Sequence, residues 1–313
     1  MLTEEKLTAT PGAVETAETG ETVEAARQAL PAHRLRYEAL LALNTMIWGT
    51  TFLVVKYAVK LSGPFTYLAI CYAVGSLTLA LIFRKRLAQI TRAELRGGLI
   101  LGLLLFAGYA SQTTGLQFTT VSKAGFITGL YVPLVPIFYF LFLRQRPARA
   151  AIAGVALSFL GLFLLSVNNQ FSLSIGIGEA LIFVAAVAFA AHIVLISKFA
   201  PGLDMTNLAV IQLSLTSLLS FAMLPFAHEL HSAPPAQFWL IAALMGMLDI
   251  AYTLLVMNRV QQRVGGIRAT LIYAMEPLWA ALAGVVLAGD VLSIPAWIGC
   301  GCILVGMIVG RLG

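Results

Sequence analysis

Residues 122–143, which read SKAGFITGLYVPLVPIFYFLFL, form a long apolar run with a single charged residue, Lys123. An α-helix rises 1.5 Å per residue, so a run of this length is about long enough to cross a hydrocarbon core of roughly 30 Å. Similar runs recur along the whole sequence, which is 59% hydrophobic and only 11% charged. Soluble domains are usually about half apolar and about a quarter charged. We therefore predict an all-α membrane protein.

Polar or turn-rich breaks divide the sequence into ten such runs. Five runs precede the polar segment Asn168–Gln170 and five follow it. The predicted transmembrane helices lie at 41–60, 64–83, 98–117, 122–143, 149–167, 176–198, 206–226, 238–258, 267–288 and 294–311.

The distribution of basic residues gives the orientation. If the N-terminus is cytoplasmic, every Lys and Arg except Lys56, Lys60 and Lys123 falls on the cytoplasmic side. The opposite orientation would reverse this bias and violate the positive-inside rule. We therefore predict that both termini are cytoplasmic.

The two groups of five spans share features at a near-constant offset. The shared features are Pro133-Leu134 with Pro277-Leu278, Tyr109 with Tyr252, and the glycine pair Gly154 and Gly161 with Gly299 and Gly306. The glycine spacing also predicts close backbone approach between helices. Because five is odd, the second copy must enter the membrane from the other side, and the basic clusters change ends accordingly. We predict two inverted five-helix repeats.

The predicted domains are a tail at 1–36, a first repeat at 37–167 and a second repeat at 176–311. The acidic, Thr- and Ala-rich tail has no secretory signal pattern and is expected to be cytoplasmic and disordered near its start. The net charge of +6 is explained by topology, because the basic residues flank apolar runs, and so nucleic acid is not an expected partner. The three cysteines predict neither a disulfide framework nor a metal site.

As a set, the ten spans, WGTTF at 48–52, the Pro-Leu pairs, MEP at 275–277 and the glycine spacing resemble the EamA-like branch of the drug/metabolite transporter superfamily. The resemblance covers about residues 38–311. It implies a central cavity lined mainly by spans one, three, four, six, eight and nine, and export of amino acids, other metabolites or drugs. Many relatives carry Glu near the end of span four, where this chain has RQR, so no role of that Glu transfers.

Two acids, Asp249 and Glu276, lie well inside apolar runs. An acid at that depth costs about 2.5–3.5 kcal/mol on insertion scales, which favours a functional role. If both line a cavity, they could bind a proton on one side and release it on the other. Pro277 adds a polar kink beside Glu276, since proline lacks a backbone donor. The alternative is that each acid is neutral or paired for packing.

Polar residues three or four apart share a helix face and could reach a cavity together. The candidate pairs are Tyr109 with Gln112, Thr128 with Tyr131, Asp249 with Tyr252, Tyr273 with Glu276, and Asn44 with Trp48. His192 is a further candidate because its charge can change near neutral pH. Hydrogen bonding between helices is the alternative for all of them.

We predict a secondary transporter that exports a small organic metabolite, an amino acid or a drug-like solute, by alternating access, with proton coupling as an option. The expected partners are the solute, the lipid bilayer and protons, and the chain is expected to be a monomer or a homodimer in the plasma membrane, the inner membrane of a Gram-negative bacterium. No catalytic residue, metal or cofactor is predicted. The alternatives are an intramembrane enzyme acting on lipid-linked substrates and an uncoupled facilitator or channel.

Overall fold

A computed structural model describes residues 15–119, 121–166, 176–199, 201–229, 233–283, 285–286 and 293–311. All regular secondary structure within these residues is helical. The first fourteen residues, where disorder is expected, lie outside the described residues, and the first helix already begins at Glu15. An all-helical chain is what a bilayer requires, because a helix satisfies its own backbone hydrogen bonds.

The helices before residue 167 are numbered α1 to α7. They are α1 (Glu15–Ser62), α2 (Pro64–Ile82), α3 (Arg84–Leu87), α4 (Arg92–Gly115), α5 (Val121–Thr128), α6 (Tyr131–Leu143) and α7 (Arg149–Ser166). The later elements include one π-helical segment between two α-helices. They are α8 (Ile177–Phe199), α9 (Met205–Met223), α10 (Ala236–Leu244), the π-helical segment (Met245–Tyr252), α11 (Thr253–Val264), α12 (Gly266–Tyr273), α13 (Glu276–Ala283) and α14 (Ile294–Arg311).

Seven helical stretches of the described chain are long and apolar enough to cross a bilayer. They correspond to predicted spans one to four and six to eight, and lie at Leu35–Ser62, Pro64–Ile82, Arg92–Gly115, Lys123–Leu143, Ile177–Phe199, Met205–Met223 and Ala236–Val264. Predicted spans five and ten contain the shorter apolar helices Arg149–Leu164 and Ile294–Gly310. The count of ten spans stays a prediction.

The outer surface of the helix bundle exposes many large apolar side chains. Leu77, Leu81 and Ile82 on α2 are 60–64% exposed, and Phe140 and Leu141 on α6 are at least half exposed. A soluble monomer seldom shows so much contiguous apolar surface. These faces are suited to contact with lipid.

Two of the predicted spans are interrupted. Turns at 129–130 and 274–275 separate α5 from α6 and α12 from α13. In each case a proline, Pro133 or Pro277, follows within three residues of the turn. Because proline has no N–H group, the helical hydrogen bond to the carbonyl four residues earlier is missing there. The sequence predicted the kink at Pro277, but it did not predict a break in span four.

Predicted span eight is also irregular, because its middle is the π-helical segment. Gly246 in this segment packs directly on α2, and a Cβ atom there would lie 2.7 Å from the carbonyl oxygen of Cys71. From the other side, a Cβ at Gly75 of α2 would lie 2.9 Å from the carbonyl oxygen of Gly246. The two backbones can touch only because both positions are glycine.

The helices α7 and α14 pack closely along their length through the predicted glycines. A Cβ at Gly154 would lie 2.6 Å from the carbonyl oxygen of Gly306, and one at Gly161 would lie 2.6 Å from that of Gly299. The predicted close backbone approach is confirmed. The partner numbers fall as the α7 numbers rise, so the two helices run antiparallel. Such reciprocal contacts are what a two-fold axis between matching helices produces.

Candidate functional site

A cavity of about 910 Å³ lies between the two halves of the chain. Its lining residues are Trp48, Thr51, Phe52, Val55, Tyr72, Leu105, Tyr109, Gln112, Thr113, Leu116, Thr128, Tyr131, Phe189, His192, Ile193, Leu213, Asp249, Ile250, Thr253, Leu254, Met257, Tyr273 and Glu276. All of them except Tyr72 and Leu213 come from spans one, three, four, six, eight and nine.

Nine of the eleven predicted site residues line this cavity. The two that do not are Asn44 and Tyr252. Asn44 is fully buried beneath the cavity wall, where its side-chain amide donates a hydrogen bond of 2.8 Å to the main-chain oxygen of Thr253. Tyr252 shares a face with Asp249 only in a regular α-helix. Both residues lie in the π-helical segment, whose wider turn moves a residue three positions away onto another face.

Asp249 is bound to span one. The hydroxyl of Thr51 donates a hydrogen bond of 3.1 Å to its carboxyl oxygen. The hydroxyl of Thr253, one turn later, donates to the main-chain oxygen of Asp249 and accepts a 3.0 Å hydrogen bond from the indole N–H of Trp48. These bonds fix Asp249 at the junction of α1 and the π-helical segment.

Glu276 occupies the first turn of α13, directly after the break. Its side chain is 9% exposed and borders the cavity. Among the described residues, no side chain hydrogen-bonds its carboxyl group. Gly49 of α1 packs on its backbone, because a Cβ at Gly49 would lie 2.5 Å from the main-chain oxygen of Glu276 and 2.7 Å from the Cβ of Trp279. The position of this acid therefore depends on the absence of a side chain at residue 49.

Aromatic rings form much of the remaining wall. The ring centroids of Trp48 and Tyr273 are 5.6 Å apart, and those of Tyr72 and Tyr109 are 5.5 Å apart. Tyr109 also packs edge-on against Phe189 at 5.0 Å. The hydroxyl of Tyr131 is buried, and none of the residues that the structure describes forms a hydrogen bond with it. An unpaired buried hydroxyl is costly, which marks this position as one where a ligand or a water molecule can bind.

Other polar lining residues are paired with protein groups. The Nε2 atom of His192 lies 2.7 Å from the amide oxygen of Gln212, and the His192 side chain is almost fully buried. The amide of Gln112 donates a 3.0 Å hydrogen bond to the hydroxyl of Thr128. These contacts join neighbouring helices, as the packing alternative expects.

Sequence reasoning missed several polar lining residues, chiefly Thr51, Tyr72, Thr113 and Thr253. Thr51 lies three residues after Trp48, and Thr253 lies four after Asp249, so the helix-face rule applied to the candidates could have found both. Tyr72 lies in span two, and nothing in its sequence context distinguishes it from a core residue.

At one end of the bundle, polar contacts join the start of α9 to α3 and to the start of α4. Arg86 forms an ion pair of 2.9 Å with Asp204. The carboxylate of Glu94 accepts hydrogen bonds from the backbone N–H of Asp204 at 2.9 Å and from the amide of Asn207 at 3.2 Å. We call these residues the Asp204 cluster.

The electrostatics of Asp204 are set by its contacts outside the spans. Partial burial raises the pKa of its carboxyl. Hydrogen bonds from Thr206 and the neighbouring Arg86 guanidinium lower this pKa by a larger amount, so the pKa lies below the usual value. The carboxylate form is therefore the one that stabilises this end of the bundle.

At the opposite end, a second set of contacts joins the two halves. The hydroxyl of Thr119 donates a 2.7 Å hydrogen bond to Glu179, and the Lys123 ammonium lies 3.5 Å from the same carboxylate. Lys56 donates to the main-chain oxygen of Thr119 at 3.2 Å. We call these residues the Glu179 cluster. The cavity thus lies between two polar clusters, each of which connects one half of the chain to the other.

The chain is similar to a family of known proteins in both sequence and fold. The model of the EamA-like transporter family matches twice, at residues 35–167 and 176–310. An uncharacterized transporter of Archaeoglobus fulgidus is 30% identical over 89% of this chain and 87% of its own length. The uncharacterized inner membrane transporter YedA of Escherichia coli K12 is 26% identical over 92% of each chain. One crystal structure superposes with a TM-score of 0.72 at 19% identity, over 88% of this chain and 97% of the other, which shows a shared fold alone.

Proposed function

The chain belongs to the EamA-like transporter family, and from this premise we propose that it exports a small organic solute across the plasma membrane by alternating access. It is a multi-pass membrane protein. The solute would be an amino acid or a drug-like molecule, and the chain would act as a monomer or a homodimer.

One observation carries the proposal: the cavity between the halves contains two carboxyl groups and borders both interrupted helices. Interrupted helices at matching positions of two repeats are the usual binding-site feature of secondary transporters. Tyr131 at the start of α6 and Glu276 at the start of α13 both line the cavity. A solute there would contact one interrupted helix from each half.

We further propose ten spans in two inverted repeats, with both termini cytoplasmic. The double family match supports two repeats, and the reciprocal contacts of α7 with α14 support an inverted relation. A second reciprocal pair supports it as well. Glu229, after α9, accepts hydrogen bonds of 3.2 and 2.7 Å from the first N–H groups of α2, whereas Arg86, after α2, pairs with Asp204 at the start of α9.

Alternating access requires that each end of the cavity can open while the other is closed. We propose that the Asp204 cluster and the Glu179 cluster hold the two ends. The ion pair of Arg86 with Asp204 is partly exposed to water, and such pairs are individually weak, so it can break and reform without a large energy input. In this scheme one cluster separates in each of the two open states.

Asp249 and Glu276 are the proposed coupling groups. A carboxyl group inside a membrane protein is costly when ionised and unpaired, so it favours a bound proton or a bound cation. Protonation from one side and release to the other would couple export to the proton gradient. Thr51 holds Asp249 in place, whereas Glu276 has no side-chain partner among the described residues and is the more exchangeable of the two.

The enzyme alternative has weaker support. Nucleophilic catalysis requires a nucleophile activated by a nearby base. The lining residues include neither Ser nor Cys, and the one lining His bonds to a Gln amide. The family and the named relatives are transporters.

The test is a flux assay with purified protein in liposomes that contain a pH-sensitive dye. A panel of amino acids, amines and neutral drug-like solutes is added outside, and acidification or alkalinisation inside is recorded. We expect at least one solute to drive a proton flux that Glu276→Gln and Asp249→Asn abolish. Glu24→Gln is the matched control, because Glu24 lies about 36 Å along α1 from Trp48, given 1.5 Å per residue.

The outcomes separate the alternatives. Solute flux that persists unchanged in both acid variants would mean that the acids are structural and that the protein is an uncoupled facilitator. The transport proposal itself is contradicted if no solute of the panel crosses the membrane faster than in protein-free liposomes.

A further inference from the structure

The charge of the cavity wall is one-sided. Two of its 23 lining residues are acids, and none is Lys or Arg. His192 is its one basic side chain, and that ring is already bonded to Gln212. An anionic group of a bound solute would therefore find two acids and no counter-charge. Whenever either acid is ionised, Coulomb repulsion in this poorly solvated site disfavours anion binding.

Helix N-termini could bind an anion instead, since their free N–H groups attract negative charge. At the break before α6, however, the N–H groups of Leu130 and Val132 already donate to Ile127 and Gly129 at 3.1 and 3.0 Å. At the break before α13, Glu276 itself places a carboxyl group in the first turn. At both breaks, therefore, protein groups already occupy part of the helix start.

The wall favours a positive group for a second reason, which is its aromatic content. The aromatic lining residues are Trp48, Phe52, Tyr72, Tyr109, Tyr131, Phe189 and Tyr273. The faces of aromatic rings attract ammonium groups, and aromatic cages are a common way to bind them. The same rings also bury the apolar body of an amphipathic solute.

Two unpaired polar groups point to hydrogen bonding with such a solute. The Tyr131 hydroxyl is buried, with the residue only 5% exposed, and has no hydrogen-bond partner within the described part of the chain. The Glu276 carboxyl has no side-chain partner among the described residues. Leaving such groups unpaired costs free energy that a ligand recovers when it bonds to them. A protonated amine carries N–H donors suited to both oxygens.

We propose that the cavity binds protonated amines with an aromatic or aliphatic body, and that it discriminates against solutes carrying a carboxylate. The inference rests on the proposed function, because it names the class of solute that the same cavity carries. In this scheme the amine and the proton compete for Glu276, with Asp249 as the second negative group. Amino acids, which carry a carboxylate beside their ammonium group, are poor ligands.

The experiment compares three solutes with one phenyl-ethyl body: phenethylamine, phenylalanine and 3-phenylpropionate. Their binding to purified protein in detergent is measured by isothermal titration calorimetry at neutral pH. We expect phenethylamine to bind at least about tenfold more tightly than phenylalanine, and 3-phenylpropionate to show no saturable binding. Tryptamine and benzylamine extend the amine series, so that one poor fit does not decide the result.

Variants connect the result to the proposed groups. Glu276→Gln is expected to weaken amine binding at least about tenfold, Tyr131→Phe several-fold, and Glu24→Gln not at all. Each variant is first checked for monodispersity and helical content. Asp249→Asn replaces Glu276→Gln as the test if the latter misfolds.

The inference is overturned if none of the three amines binds, or if phenylalanine or 3-phenylpropionate binds as tightly as phenethylamine. Failure of the transport proposal looks different. In that case the amines bind and depend on Glu276, yet no solute crosses the liposome membrane in the flux assay. Conversely, coupled flux of a neutral or anionic solute alone would leave transport standing and exclude the amine class.

Discussion

The two interrupted helices can be compared position by position, because each carries a proline just after its break. When Pro133 is matched with Pro277, Val132 takes the place of Glu276. When Tyr109 is matched with Tyr252, Phe106 takes the place of Asp249. Both acids of the cavity therefore correspond to apolar residues in the first half, although the backbone interruption is present in both.

This difference separates two roles within one architecture. The interruption of the helix is shared, and it places a helix start beside the cavity in each half. The charge belongs to the second half alone, while the first half supplies neutral groups such as Gln112, Thr128 and Tyr131. The shared helix interruptions would allow the two halves to exchange conformations. The acids, which only the second half contributes to the cavity, would determine which solute binds.

The largest effect is expected where the two halves differ most. Glu276→Gln should reduce proton-coupled flux to the background of protein-free liposomes, because the amide can neither release a proton nor carry a negative charge. The matched change that keeps the charge, Glu276→Asp, should retain part of the flux. Equal loss in both variants would mean that the negative charge alone is not what flux requires.

The next largest effect concerns the contact that positions Glu276. In Gly49→Ala the new Cβ meets the backbone of α13, so α13 must shift. Overpacking of this kind costs about 1–3 kcal/mol. We expect a lower unfolding temperature in detergent and at least a several-fold loss of flux. Gly125→Ala and Gly301→Ala are the controls, because nothing lies within 4 Å of a Cβ at either position.

A smaller effect is expected from the hydrogen bond that holds Asp249. Thr51→Val removes the donor to its carboxyl and should lower flux several-fold with little change in stability, since one hydrogen bond contributes about 0.5–1.5 kcal/mol. The adjacent Thr50→Val is the control, because the Thr50 hydroxyl bonds only to carbonyls of its own helix. Similar flux in the two variants would argue against a role for the Thr51 bond.

The smallest effect belongs to the ion pair of Arg86 with Asp204. Asp204→Asn should lower the free energy of unfolding by no more than about 1 kcal/mol, because the pair is partly exposed to water. The pKa of Asp204 is lowered in the folded protein. Its contribution is therefore complete above the unfolded value of about 3.9 and is lost as the pH falls through the lower folded value. Thermal unfolding against pH should show a difference between wild type and variant that is present near neutral pH and lost in strong acid. A difference that persists unchanged in strong acid would contradict this prediction.

Much of the cavity was predictable from sequence because polar residues inside apolar runs are rare and costly. Nine candidates chosen on that ground line the cavity, and Asp249 and Glu276 are among them. The repeat, the glycine spacing and the kink at Pro277 were also visible in the sequence, since each depends on local residue types.

The π-helical segment was not predictable. It occurs where Gly246 meets the backbone of α2, a contact between residues about 170 positions apart in sequence. Nothing in the local hydropathy distinguishes a π-helical turn from an α-helical one, so the expected pairing of Asp249 with Tyr252 followed the wrong helical period. The bond between Asn44 and Thr253 was hidden for the same reason, because it depends on how α1 and α11 pack.

The central claim is that the halves move against each other around the cavity, and spin-label distances test it most directly. Labels at Ala88 and Gly202 report on the Asp204 end, and labels at Lys60 and Ile177 report on the Glu179 end; each of these positions is exposed. The three native cysteines are first replaced by alanine or serine. Distances are measured by double electron–electron resonance in lipid nanodiscs at acidic pH, at alkaline pH and with phenethylamine. Alternating access predicts that one distance increases as the other decreases, whereas two constant distances in a protein that transports solute would contradict it.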